Sequence, residues 1–310
     1  MSRRTLGWWG AGALSLTMFL AACGSSASDQ PAGASASSAG AAAAVPVVAS
    51  TNVYGDIAKQ IAGDRASVTS IISNPDADPH SYEANTRTQL ALSKARVVIE
   101  NGGGYDDFVD TMLKSAGNSA KVLNVVDISG KKATGGKNLN EHVWYDFPTI
   151  EKLADQLAAA LAEADPAGAS TFTANAATFK QKMQQLEARE ASIKAAHTGA
   201  GAAITEPVPL YMLEACGLEN KTPDEFSEAI EEGTDVPANV LQETLDLFAH
   251  KEVKLLAYNE QTTGPETEKM LNAAKTNNIA VVPVTETLPD GKEYISWMSG
   301  NLSAIETALR

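Results

Sequence analysis

Four histidines occur in the 310 residues of this chain, and two of them stand where ligand chemistry is possible. His80 lies in Asp78-Pro-His-Ser-Tyr-Glu83, directly after an apolar run. His142 lies in Asn140-Glu-His-Val-Trp-Tyr-Asp146, between a Gly/Lys-rich loop at 130–136 and a helical pattern. Two carboxylates occupy comparable places further along. Glu206 follows Ile204-Thr, and Glu260 follows Tyr258-Asn. Imidazole nitrogen combined with carboxylate oxygen suits zinc, iron or manganese, with bonds of about 2.0–2.2 Å. Each signal alone is weak, because a lone histidine is more often an ordinary hydrogen-bonded residue. His197 and His250 read in that ordinary way: each closes a helical run, where an imidazolium complements the helix dipole.

The elements that must position these groups follow from pattern. Short β-branched runs at 45–50, 68–72, 96–100 and 122–126 read as strands bounded by Gly, Asn, Asp or Ser. Helices are expected at 53–63 and 87–94, the second capped by Thr86 with Gln89 three residues on. A helix at 148–163 has Asp146 and Thr149 as candidate caps. Residues 170–197 then run with few breakers, giving a helix of roughly 40 Å that most simply joins two domains. The alternation resumes with strands at 202–204, 254–258 and 279–284. Between and after them come a helix opened by Thr222-Pro223-Asp224-Glu225 and others at 237–249, 265–275 and 294–309. The expected fold class is α/β, with two lobes of mostly parallel strands bridged by one long helix. Ligands gather beyond the carboxyl ends of parallel strands. Two histidines at strand ends in one lobe and two carboxylates at strand ends in the other therefore outline a metal cleft between lobes.

The amino-terminal residues are not fold. Arg3 and Arg4 precede an apolar run at 6–20 that is too short for a secure membrane span. Leu20-Ala21-Ala22-Cys23 followed by Gly24 resembles a bacterial lipobox, with Cys23 as the lipidated residue. Residues 24–44 are almost wholly Ser, Ala and Gly, a composition that cannot offset its ordering entropy and reads as a tether. The expected organisation is a lipoprotein signal peptide at 1–22, a tether at 23–44, a first lobe at 45–165, a linking helix at 166–198 and a second lobe at 199–310. With Cys23 acylated, Cys216 is left alone, which excludes an intrachain disulfide; it reads as a small buried apolar residue. A net charge of −14 with no basic stripe argues against nucleic-acid binding.

Four motifs, Asp78-Pro-His-Ser-Tyr-Glu83, His142-Val-Trp-Tyr-Asp146, Thr205-Glu-Pro207 and Val284-Thr-Glu-Thr-Leu288, occur in order. Together they resemble the zinc/manganese-type solute-binding proteins of bacterial ABC importers, over residues 45–309. The resemblance implies a rigid linking helix and a metal held in the cleft by His80, His142 and Glu206. It also implies a membrane permease with a cytoplasmic ATPase as partner, a monomer lipid-anchored outside the cell membrane, and no enzymatic activity. Ala84 and Phe147 stand where prolines are usual. Thr263 stands where many members carry an aspartate ligand, so Glu260 is the expected substitute, with water or a bidentate Glu206 as rivals. Glu83 and Asp146 are candidate acceptors for ligand imidazole N–H groups or, equally, helix caps; Tyr82, Trp144 and Tyr145 read as packing. The metal is expected to be zinc, with manganese as the alternative. The loop at 130–140 has no histidine, which weakens zinc without establishing manganese. Two other readings compete: an extracellular metallohydrolase, though no HExxH pair is present, and an adhesin-type lipoprotein with a structural metal.

Overall fold

In the computed structural model, which describes residues 44–74, 82, 85–133 and 138–310, the short β-branched runs form two four-stranded sheets. The first has the order β2-β1-β3-β4, from β1 (Val45–Thr51), β2 (Ala66–Ile72), β3 (Val97–Glu100) and β4 (Lys121–Asn124). The second has the order β6-β5-β7-β8, from β5 (Gly201–Ile204), β6 (Glu219–Asn220), β7 (Leu255–Asn259) and β8 (Ala280–Val284). Every neighbouring pair is parallel. β3, β5 and β7 are buried along their whole length, which is why they read as unbroken apolar runs rather than alternating ones. In each sheet the winding reverses beside the first strand, between β1 and β3 and between β5 and β7. Such a reversal opens a crevice at the strand carboxyl ends.

Parallel strands need crossovers, and helices supply them. The first lobe carries α1 (Asn52–Ala62), α2 (Thr86–Lys94), α3 (Phe108–Ala116), α4 (Val125–Ser129) and α5 (Phe147–Ala164). α5 buries Ile150, Leu153, Ala154, Leu157 and Leu161, a spacing of three and four that makes one apolar face. Next comes α6 (Ala169–His197), and the second lobe carries α7 (Leu210–Ala215), α8 (Asp224–Glu231), α9 (Ala238–Ala249), α10 (Pro265–Thr276) and α11 (Tyr294–Ala308).

Local chemistry moves several expected boundaries. α2 is capped by Asn85, whose side chain accepts from Arg87 N at 3.0 Å and Thr88 N at 3.2 Å, so Thr86 is helical and not the cap. The strand expected to reach residue 126 stops at Asn124, because the Asn124 side chain caps α4 by accepting from Asp127 N at 3.0 Å. α8 begins at Asp224 with Pro223 outside it. The Thr222 hydroxyl, expected to cap that helix, accepts from Ile204 N at 2.9 Å and so secures the end of β5. α3 was not expected; its buried Val109, Met112 and Leu113 follow Gly102-Gly103-Gly104, which suggest a loop.

α6 is 29 residues long, roughly 40 Å. Its buried residues Phe172, Ala176, Phe179, Met183, Leu186, Glu190 and Ile193 alternate spacings of four and three, giving one continuous stripe. The stripe packs on α1 and α5 at one end and on α7 and α11 at the other. Polar bonds fix both ends. Asn175 donates to Ile61 O at 3.0 Å, and Arg189 donates to Glu306 at 3.1 Å and to the Ser299 and Ser303 hydroxyls at 2.8 and 2.9 Å. Among the described residues, no helix is long and apolar enough to cross a membrane.

Direct bonds then sew the lobes together. Asn52 donates to Leu288 O at 2.8 Å and accepts from Leu288 N at 2.9 Å. Tyr294 donates its hydroxyl proton to Trp144 O at 2.6 Å, and Tyr145 donates to Thr285 O at 2.8 Å.

Two outcomes follow from α6. Phe179→Ala removes a buried ring and is expected to cost about 3–5 kcal/mol, seen in urea unfolding as a lower midpoint with unchanged slope. Glu190 is an acid in an apolar stripe; burial first, then the charges of Glu187 and Asp146, push its pKa up to about 8. The folded state therefore holds a proton that the unfolded chain has lost, so stability from this group falls as pH rises from about 4.5 towards about 8. Glu190→Gln is expected to melt several degrees above wild type at pH about 8.5 and to match it near pH 5, as scanning calorimetry would show.

Candidate metal centre

The second lobe brings two carboxylates to the crevice between β5 and β7. Thr205 donates its backbone N–H to Ala257 O at 3.1 Å, and its hydroxyl accepts from Asn259 N at 2.9 Å. These bonds end β5 and leave Glu206 at the strand tip, 4 % exposed. Asn259, the buried last residue of β7, donates from one amide nitrogen to Glu206 Oε2 and to Glu286 Oε1, the latter at 3.0 Å. Glu286 follows β8 and is 2 % exposed. Its loop is held by Gln261, whose side-chain carbonyl accepts from the backbone of Glu286 and Thr287 and whose amide donates to Thr287 Oγ1 at 2.8 Å.

The first lobe supplies the imidazole. One oxygen of Asn140 accepts from the backbone N–H of His142 at 3.0 Å and lies 2.7 Å from its ring Nδ1. The Asn140 amide nitrogen donates to Pro207 O at 3.0 Å, which assigns that oxygen as the acceptor. His142 thus donates from Nδ1 to that oxygen, and its Nε2 is turned towards the carboxylates. His142 Nε2 stands 3.5 Å from Glu231 Oε1 and 4.0 Å from Glu286 Oε2. Trp144 lies edge-on to the ring at a centroid distance of 5.0 Å, and Tyr105 donates to Glu286 Oε2 at 3.2 Å. Below the ring, Asn101 donates to Glu141 O at 3.0 Å, and Asp106 accepts from the backbone of Asn101 and Gly102 at 2.6 and 2.8 Å. Gly102 has φ +77°, and a Cβ there would come within 2.3 Å of the Asn124 side chain, so this turn needs glycine.

Of the residues expected to bind metal, His142 and Glu206 lie in this cleft, both buried. Glu260 does not. It is exposed, and its backbone N–H donates to Val284 O at 3.1 Å. Along β7 the side chains alternate, so an inward Asn259 turns Glu260 outward. The carboxylate at that corner is Glu286. The strand-end rule that selected Glu206 would have found it, since Glu286 stands two residues past β8 as Glu206 stands two past β5. Asp146, a candidate partner for a ligand imidazole, instead caps α5 by accepting from Thr149 N at 3.1 Å and pairs with Lys131 at 3.0 Å. Asn140 takes the orienting role, a neutral side chain where a carboxylate was sought. His197 ends α6, and His250 is an exposed residue at the end of α9. Cys216 is buried, and burial pushes its thiol up to about 12. Tyr82 bonds Thr88 at 2.7 Å and packs its ring, tilted, against Phe108. His80, Glu83 and Cys23 lie outside the described residues.

The cleft concentrates negative charge. The ligand atoms of Glu141, His142 and Glu231 all lie within 4.8 Å of one another. Burial first, then the carboxylates of Glu141, Glu206, Glu286 and Glu228, push Glu231 up to about 9. Burial also raises Glu141. A groove of about 930 Å³ lies alongside, lined by Asn140, Glu141, Tyr211, Glu228 and Glu231 among others. Asn259 is a neutral donor and cannot compensate two carboxylates; a divalent cation can. Imidazole and carboxylate donors fit a borderline ion such as zinc or a harder one such as manganese.

Comparison with known proteins agrees with this chemistry. The family described as zinc-uptake complex component A, periplasmic, matches residues 47–308. The chain belongs to that family. It is a family of metal-uptake components and not of enzymes. The chain is 30% identical over 141 residues to a manganese-binding lipoprotein, MntA, of Halalkalibacterium halodurans, a match covering 46% of this chain and 47% of that protein. The alignment thus spans about half the length of that relative. A manganese ABC transporter substrate-binding lipoprotein, ScaA, of Streptococcus gordonii is 26% identical over 290 residues, covering 85% of this chain and 88% of that one. The structure of the periplasmic zinc binding protein TroA from Treponema pallidum superposes with a TM-score of 0.71 at 19% identity, covering 86% of this chain and 99% of that one. That likeness establishes the two-lobed α/β fold with a long linking helix.

Asn140→Ala leaves the His142 ring without its orienting acceptor. It is expected to weaken divalent-metal binding about 10–100-fold in calorimetry while the unfolding transition persists; unchanged affinity would remove Asn140 from this role.

Proposed function

We propose that the chain captures a divalent transition metal ion, zinc or manganese, outside the cytoplasmic membrane and delivers it to the permease of an ABC importer driven by a cytoplasmic ATPase. One observation carries the reading: an oriented imidazole from one lobe, His142, turns its Nε2 towards the buried Glu286 of the other, which Asn259 holds beside the buried Glu206. Family membership supports it, and so do relatives named as metal-binding transporter lipoproteins. In this reading His142, Glu206 and Glu286 hold the ion and His80 adds a second imidazole, on the strength of its Asp-Pro-His motif. The chain then works as a monomer, with lobes at 45–165 and 199–310 joined through 166–198. A signal peptide at 1–22 is removed, Cys23 carries the lipid, and 23–44 tethers the lobes to the outer face of the membrane.

The ion, as cargo, sets the test. Protein purified without chelator or affinity-tag metal should contain about one equivalent of zinc or manganese by elemental analysis. In calorimetric titration, His142→Ala and Glu286→Gln should each weaken binding at least about 100-fold, whereas Glu260→Gln should bind as wild type does. Metal at about a thousand times its dissociation constant adds about 4 kcal/mol to stability, so the melting midpoint of wild type should rise several degrees. A preparation that holds no metal and melts at the same temperature with and without added ions would refute the reading.

A further inference from the structure

Asn140 sets the His142 ring, so the ring is only as fixed as Asn140 itself. Residues 138–142 belong to no strand or helix, and regular structure does not hold them. The Asn140 side chain is committed at both ends: its oxygen holds His142, and its nitrogen donates to Pro207 O at 3.0 Å. What remains is the main chain. There the Asn140 carbonyl accepts from the Tyr211 hydroxyl at 2.6 Å. The side chain and the main chain of one first-lobe residue are thus both bonded to the second lobe.

Tyr211 is well placed to hold that carbonyl still. It lies on α7, which opens just after the Glu206 turn, where Leu210 N donates to Pro207 O at 3.1 Å. Buried Met212 and Leu213 seat the helix in the core, and it packs on α6. From the opposite side Lys131 stands over the Tyr211 ring, 4.1 Å from its centroid, and the same ammonium pairs with Asp146 at 3.0 Å. Two first-lobe groups, a cation on the ring face and a carbonyl at the hydroxyl, grip one second-lobe side chain.

We infer that Tyr211 is a positioning residue for the metal centre: its hydroxyl fixes the Asn140 peptide, Asn140 fixes the His142 imidazole, and this chain of bonds slows release of the ion. This rests on the proposed function. The direction of the effect follows from the geometry. A peptide free to turn carries the Asn140 side chain with it, and the partner of Nδ1 moves too. A ring without a fixed partner holds its ion less firmly, and the loss falls mainly on the dissociation rate.

The experiment is a double-substitution cycle read as the rate of zinc release. The full chain is loaded with zinc and mixed with excess chelator, as wild type, Tyr211→Phe, Asn140→Ala and the two combined. Phenylalanine keeps the ring beneath Lys131 and removes only the hydroxyl. Tyr211→Phe is expected to release zinc about tenfold faster than wild type. The combined variant is expected to release it no faster than Asn140→Ala alone, because without the Asn140 side chain the hydroxyl has no route to the ring. In the metal-free protein, Tyr211→Phe should also shift the nitrogen-15 resonance of His142 Nδ1, a reading that needs only the single variant. A wild-type release rate for Tyr211→Phe, an equal acceleration in both backgrounds, or an unmoved Nδ1 resonance would each overturn the inference and leave the proposed function standing. If His142→Ala binds zinc as tightly as wild type, the proposed function itself fails.

Discussion

One amide holds the centre together. Asn259 donates to a carboxylate oxygen of Glu206 and to one of Glu286, keeping two buried acids side by side at the tip of the second sheet. Left to themselves, like charges in a low-dielectric crevice separate or take up protons. They stay because each is fixed from behind. Thr205 anchors the Glu206 turn to β7, Gln261 clamps the Glu286 loop, and Tyr105 reaches across from the first lobe. On the proposed function, a divalent ion between the lobes would offset that repulsion.

The scaffold holds the two lobes together along the cleft. A stripe on α6 packs against helices of both lobes, and the lobes are also joined by polar bonds: Asn52 to Leu288, Tyr145 to Thr285, Tyr294 to Trp144, Asn140 to Pro207. Several of these lie within a few residues of a proposed ligand. Asn140 both orients His142 and grips the Pro207 carbonyl beside Glu206. Orientation of the ligand ring and closure of the cleft are thus one interaction, and loosening either loosens the other.

Much of this could be read from sequence because it depends on local pattern. Parallel strands buried on both faces leave continuous apolar runs, and a long helix without breakers announces itself. Glu206 is legible as a candidate because a polar residue just past an apolar strand is a ligand position in a parallel sheet; His142 is not at a strand end, since α4 and a loop separate it from β4, and it is legible only from its His-Val-Trp-Tyr-Asp motif. Glu286 satisfies the same rule and was passed over for Glu260, where a carboxylate also follows a strand. The two differ by the parity of one residue, which decides whether a side chain faces the crevice or the solvent. Glu231 carried no such signal. It ends a helix of many acids, and only the fold brings its carboxylate to 3.5 Å from His142 of the opposite lobe. Asn140 carries no such signal either, because a carboxylate or backbone carbonyl, not an amide side chain, is the usual partner of a ligand imidazole.

The most direct measurement is a crystal structure of the metal-loaded protein with anomalous diffraction recorded at the manganese and zinc edges. The account predicts a single anomalous peak in the cleft, about 2.0–2.3 Å from His142 Nε2 and from oxygens of Glu206 and Glu286. A peak elsewhere, or an ion in the cleft bound through Glu260 while Glu286 keeps only its bonds to Asn259 and Tyr105, would contradict it.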